Sequence, residues 1–77
     1  MEELLVSKGF ELSGELWEIE FVKMSDIESV QSIFGIENTC NYLVLQYNKA
    51  TDECIICSDD DAWEISKEEF IGCVKRM

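Results

Sequence analysis

The chain has 77 residues, with 17 Asp and Glu against 6 Lys and Arg, so its formal net charge is −11. It contains no histidine, which removes the commonest general base and the commonest metal ligand in one step. Hydrophobic residues make up 47% of the sequence, a larger share than an acidic disordered chain carries. These features predict one folded acidic domain over residues 1–77 and argue against an enzyme.

The N-terminal segment is open to two predictions. Residues 4–12 and 16–22 are two apolar segments joined through Ser13 and Gly14, and a short glycine-containing link of this kind favours a β-hairpin. The rival prediction is a short helix over residues 2–8 that ends at Gly9.

The segment at residues 16–22 is the clearest strand. Trp17, Ile19 and Phe21 alternate with Glu18 and Glu20. This is the period of a strand with one buried face. The two glutamates therefore point to the same side, about 7 Å apart.

A helix is predicted over residues 26–34. Ser25 and Glu28 have the spacing of a capping box, and apolar residues then recur at three- and four-residue intervals. Gly35 suits the left-handed conformation that commonly follows a helix end.

The second half of the chain predicts a pair of long strands. Residues 41–47 are rich in β-forming side chains, and residues 53–58 read as the returning strand. The polar segment 48–52 between them is typical of a turn. We expect the first of these strands to occupy a central position, because it is apolar on both faces near its middle.

The chain then forms a short strand and a closing helix. Trp63 and Ile65 extend into the core, and Ser66 with Glu69 forms a second capping box. The resulting order is ββαββα, with about four antiparallel strands and two short helices. The predicted fold class is α+β, with the helices covering one face of the sheet.

The four cysteines, Cys40, Cys54, Cys57 and Cys73, raise the alternative of a small zinc-binding protein. The Cys54–Cys57 spacing supplies only half of a zinc site. On a strand, positions three residues apart face opposite sides. We therefore favour reduced thiols that pack as small hydrophobic groups, and we predict no metal ligand, no cofactor and no catalytic residue.

Carboxylates gather in three places. Glu18 and Glu20 form the first group, with Glu11 and Glu15 expected nearby across the hairpin. Asp52 with Glu53 forms another group. The remaining group follows the returning strand and consists of Asp59, Asp60, Asp61 and Glu64. The predicted partner-binding residues are carboxylates of the first and the last of these groups, with Trp63 added because Trp is enriched at binding hot spots. They are Glu18, Glu20, Asp59, Asp60, Asp61, Trp63 and Glu64. The competing interpretations are a solvated acidic surface that maintains solubility and a Trp63 that belongs to the core.

Rows of carboxylates can present a field comparable to that of duplex DNA, which carries one negative charge per roughly 1.7 Å of axis. We therefore expect a stoichiometric inhibitor that covers a basic surface of a protein partner, such as a nuclease or another nucleic-acid-binding protein. Viral inhibitors of host nucleases and CRISPR-type effectors act in this way. The alternative is an accessory subunit or adaptor that docks through a strand edge or a helix face.

The same charge argues against two other partners. Six scattered cations are too few for a nucleic-acid-binding patch, so we expect no direct binding of nucleic acid. An anionic membrane surface would repel the chain. The first residues lack the basic region of a secretory signal, and we expect a cytoplasmic protein.

Overall fold

The computed structural model describes residues 1–37 and 40–77. Across these residues the chain forms an α+β domain of three helices and a five-stranded antiparallel sheet. The helices are α1 (Glu2–Ser7), α2 (Met24–Phe34) and α3 (Lys67–Lys75). The strands are β1 (Glu11–Ser13), β2 (Leu16–Phe21), β3 (Leu43–Asn48), β4 (Glu53–Ser58) and β5 (Ala62–Ile65).

The strands lie side by side in their order along the chain, β1-β2-β3-β4-β5, and every neighbouring pair is antiparallel. This order needs only short connections, apart from the segment between β2 and β3 that contains α2. The predicted α+β class with an antiparallel sheet is confirmed. The central position predicted for the first long strand is also confirmed, since β3 is the middle strand.

The N-terminus follows the rival prediction of a short helix. Of residues 4–12, which were expected to form the first strand of the hairpin, only Glu11 and Leu12 lie in a strand. Residues 2–7 form helix α1 instead of a strand, and its Leu5 side chain is fully buried. Gly9 then adopts a φ of 97°, a conformation that glycine reaches without steric cost, and turns the chain into β1. The hairpin through Gly14, with Leu12 paired to Trp17, is confirmed.

One of the two predicted capping boxes forms. At α3, the Ser66 hydroxyl accepts a hydrogen bond from the Glu69 backbone N–H at 3.1 Å. At α2 the prediction is wrong: the helix begins at Met24 with Lys23 at the cap position and no side-chain cap. Ser25 therefore lies inside the first turn, two positions beyond the cap. Gly35 does adopt the left-handed conformation, with a φ of 70°.

This difference predicts unequal effects of two similar substitutions. Ser66→Ala should lower the free energy of unfolding by about 1 kcal/mol, the usual cost of losing a helix cap. Ser25→Ala is the matched control, and it should change that free energy by less than about 0.5 kcal/mol, as exposed positions without a special role do. Urea denaturation of the three proteins measures both values. Equal losses would contradict the assignment of the caps.

The sheet has two unlike faces, because cross-strand partners share a face and neighbours along a strand alternate. The helices pack on one face, where their buried side chains join the sheet residues in one core. We call this the helix-covered face; its strand residues are Trp17, Ile19, Phe21, Leu43, Leu45, Tyr47, Cys54, Ile56, Trp63 and Ile65. No described helix covers the opposite, helix-free face, whose main strand residues are Glu11, Leu16, Glu18, Glu20, Val44, Gln46, Asn48, Glu53, Ile55, Cys57, Ala62 and Glu64.

Candidate functional site

The helix-free face collects the strand carboxylates. Five glutamates lie in the strands of the described chain, and the pairing register directs all of them to this face. The same strands contain no lysine and no arginine. The five residues are Glu11, Glu18, Glu20, Glu53 and Glu64.

One row of this face crosses the whole sheet. Glu11 pairs with Glu18, Glu18 with Gln46, Gln46 with Ile55, and Ile55 with Glu64. Neighbouring strands lie about 4.8 Å apart, so the row is about 19 Å long. The carboxylates stand at its two ends, and uncharged side chains occupy the middle.

A hydrogen-bonded group lies in the middle of the face. The Gln46 side-chain nitrogen donates to the Glu18 carboxylate at 2.7 Å, and the Cys57 thiol lies 3.8 Å from the Gln46 oxygen, within reach to donate. Burial, and next the nearby Glu18 charge, raise the pKa of the Cys57 thiol. Cys57 is therefore a protonated, weakly nucleophilic side chain at neutral pH.

The middle of the face is also apolar. Val44 is only 7% exposed although it lies outside the main core, and Ile55 and Cys57 are half-buried. Carboxylates flank this apolar centre on both sides, with Glu20 beside Val44 and Glu64 beside Ile55. An apolar centre with a polar rim is the usual anatomy of a protein–protein interface.

The aspartates between β4 and β5 lie elsewhere. The Asp59 carboxylate accepts hydrogen bonds from the backbone N–H of Asn41, at 2.8 Å and 3.0 Å, and of Tyr42 at 3.2 Å. Burial alone would raise the pKa of Asp59, but these hydrogen bonds outweigh it and lower the pKa. Asp59 thus anchors the start of β3, while Asp60 and Asp61 are exposed in the turn.

Trp63 and Glu64 are neighbours in the chain but point to opposite faces. Trp63 pairs with Ile56 on the helix-covered face and packs half-buried against the core. The predicted site is therefore divided in space: Glu18, Glu20 and Glu64 share the helix-free face, and Trp63 does not. The hairpin predicted from the sequence brings Glu11 close to Glu18 and Glu20, and the structure pairs Glu11 with Glu18. The sequence does not predict that Gln46 and Glu53 share this face, because that depends on the pairing of β3 with β2 and β4.

A charged contact fastens the β3–β4 turn to α3. Asp52, which has a φ of 64°, accepts hydrogen bonds from the Tyr47 hydroxyl and from the Lys67 ammonium group, the latter at 2.8 Å. The Lys67 nitrogen also lies 5.6 Å from the centre of the Tyr47 ring. The Lys67 hydrogen bond, followed by that of Tyr47, lowers the pKa of Asp52 below its ordinary 3.8. This contact is structural, and it lies away from the carboxylate row.

The lowered pKa of Asp52 makes a signed prediction for stability. Its contribution to the free energy of unfolding should be complete above pH 3.8, its ordinary pKa, and should disappear as the pH falls through the lower folded value. Asp52→Asn is the matched variant, because asparagine also tolerates a positive φ. Urea denaturation of both proteins at several pH values should show a stability difference that shrinks below pH 3.8. A difference that grows in acid would contradict this assignment.

The cysteines are dispersed. Cys54 lies on the helix-covered face and Cys57 on the helix-free face, as the strand period predicts. Burial, with a smaller contribution from the Asp52 charge, raises the pKa of Cys54 to about 11. Within residues 1–37 and 40–77, no three histidine, cysteine or acidic side chains are grouped as metal ligands would be.

The fold and this face define an α+β domain with one acidic, helix-free sheet surface. Comparisons of the chain with protein-family models, with curated proteins and with solved structures find no match. Among the described residues, none of the helices has the length and apolar character needed to cross a membrane.

Proposed function

We propose that the protein is a stoichiometric inhibitor whose helix-free face covers a basic, nucleic-acid-binding surface of a partner protein. The observation that carries this proposal is that all five strand glutamates share one face on which no described strand places a cation. A net charge of −11 adds a long-range field that attracts basic surfaces and speeds association.

The spacing of the carboxylates supports the same proposal. Glu18 and Glu20 lie about 7 Å apart along β2, and adjacent strands repeat the pattern at about 4.8 Å. Lysine and arginine side chains that hold phosphates can reach such a surface without rearranging. A partner occupied in this way would lose its nucleic acid, because the same cations cannot serve both ligands.

The apolar centre favours a protein partner over a purely solvated role. Ile55 and Cys57, which are half-buried, would be withdrawn further from water when the face is covered, and this burial would add affinity that salt does not screen. The carboxylates around them would set orientation and specificity. A cytoplasmic location suits this proposal, since the four thiols are free and such thiols persist in reducing compartments. A viral inhibitor directed against a host nuclease would have these properties.

The proposal is tested by capture and competition. Protein immobilised through its C-terminus is exposed to native host lysate at low salt, and retained proteins are identified by mass spectrometry. The purified partner is then assayed for nucleic-acid binding with increasing amounts of the protein. We expect loss of nucleic-acid binding at a one-to-one ratio and release of the complex by moderate salt. A captured partner that keeps its nucleic acid when saturated would refute the proposal.

A further inference from the structure

The outer edge of β5 is an unpaired strand edge. β5 (Ala62–Ile65) is the last strand of the sheet, and it pairs with β4 on one side only. Among the described residues, no backbone or side-chain group forms a hydrogen bond to the other side. Sheet edges of this kind accept an added strand, and proteins often block them with lysine or proline. β5 contains neither.

The register identifies the groups that point outward. The Ser58 backbone N–H donates to the Asp61 carbonyl at 2.7 Å, so the Asp61 carbonyl points toward the strand that precedes the turn. Inward and outward residues alternate along an antiparallel strand. Ala62 and Glu64 therefore direct their backbone N–H and C=O groups away from the sheet.

The two sides of this edge differ in chemistry. On the helix-covered side, Trp63 and Ile65 stand half-buried beside a groove of about 330 Å³. Phe34, the last residue of α2, and Ile36, which follows the helix, also line it. The groove is open to solvent.

The charges around the edge have one sign. Glu37 and Glu69 line the groove, and Glu64 stands on the other side of the strand. No lysine or arginine of the described chain lines the groove. An added strand alternates its side chains between the two sides, so apolar residues would enter the groove while the residues between them would face Glu64.

We propose that the edge of β5 accepts, by strand addition, an extended segment of a partner protein in which apolar and basic residues alternate. The backbone of the segment would pair with Ala62 and Glu64, and its apolar side chains would contact Trp63 and Ile65. This edge borders the helix-free face and shares Glu64 with it, but the proposal does not depend on the inhibitory function.

The test uses a synthetic octapeptide of alternating valine and arginine, acetylated and amidated at its ends, and ¹⁵N-labelled protein. Nuclear magnetic resonance titration should shift the amide signals of Ala62–Ile65 and the indole signal of Trp63. A peptide with glutamate in place of arginine should bind at least about tenfold more weakly, a difference of about 1.4 kcal/mol. Equal affinity of the two peptides would overturn the charge assignment on which the proposal stands.

N-methylated peptides test the pairing itself without altering the protein. Methylating every second peptide nitrogen removes either the donors that face β5 or those that face solvent. One pattern should weaken binding at least about tenfold, because the donors to the Ala62 and Glu64 carbonyls are lost, and the other should change it less than about twofold. Equal tolerance of both patterns would overturn the proposal. Signal changes confined to β1, or to residues 19–21 of β2, would also overturn it.

Discussion

Replacing Glu18 and Glu20 together by lysine should weaken binding of a basic partner at least about tenfold at low salt, which is about 1.4 kcal/mol. Both side chains lie on the helix-free face, and none of the described strands contains a lysine or an arginine. Like-charge contacts across an interface oppose association and lower its rate. Surface plasmon resonance at two salt concentrations, with the partner identified by capture, measures the loss.

The control distinguishes the effect of where the charges lie from the effect of the net charge of the protein. Glu2→Lys with Glu3→Lys changes the net charge by the same amount, but both residues are exposed on α1, away from the sheet face. This variant should bind less than about threefold more weakly at physiological salt, where charges more than about 8 Å from the contact are screened. If both double variants lose affinity equally, net charge alone drives binding, and the helix-free face is not the interface.

The stability of the doubly substituted protein shows whether the two lysines disturb the fold. Glu20 is exposed, and Glu18 makes one hydrogen bond to Gln46. The free energy of unfolding of the Glu18→Lys and Glu20→Lys protein should therefore fall by no more than about 1.5–3 kcal/mol, the value of one hydrogen bond to a charged group. Urea denaturation of both proteins gives this comparison.

Phe70→Ala should destabilise the protein more than any other single substitution that we propose. Phe70 is completely buried and packs against Phe10, with ring centres 6.1 Å apart, and against Phe34, at 6.3 Å. It therefore joins α3 to the segment after α1 and to the end of α2. Truncating a buried phenylalanine costs about 3–5 kcal/mol, while a domain of this size has a total stability of only about 4–12 kcal/mol.

Two further variants give stability losses with which that of Phe70→Ala is compared. Phe70→Leu keeps most of the buried volume and should remain folded, with a smaller loss than alanine. Val22→Ala removes a side chain that is 67% exposed and should change stability by less than about 0.5 kcal/mol. Circular dichroism with thermal melting ranks the three proteins. A folded Phe70→Ala protein with an unchanged melting temperature would contradict the position of Phe70 at the centre of the core.

Local patterns in the sequence were sufficient for much of the architecture. The alternation in residues 16–22, the returning strand at 53–58 and the Ser66 cap are each determined by neighbouring residues, and each is found in the structure. The N-terminus was ambiguous because a short apolar segment suits a helix or a strand, and burial of Leu5 against the core decides between them.

The candidate site was only partly accessible from the sequence. The shared direction of Glu18 and Glu20 follows from the strand period alone. The aspartates after β4 were grouped with them because they are acidic and close in sequence, yet Asp59 is engaged by the backbone of Asn41 and Tyr42. Whether a carboxylate in a turn accepts hydrogen bonds depends on which distant segments pack beside it. The spacing of residues in the sequence does not contain that information.

The acidic surface, the α+β class and the shared direction of the β2 glutamates could be predicted because charge and short-range periodicity are local properties. Three features could not: which sheet face the helices cover, which glutamates share a row, and the position of Trp63 and Glu64 on opposite sides of one edge strand. These features depend on strand register and on burial between segments distant in the chain. A shift of one residue in that register would have sent every side chain of a strand to the other face.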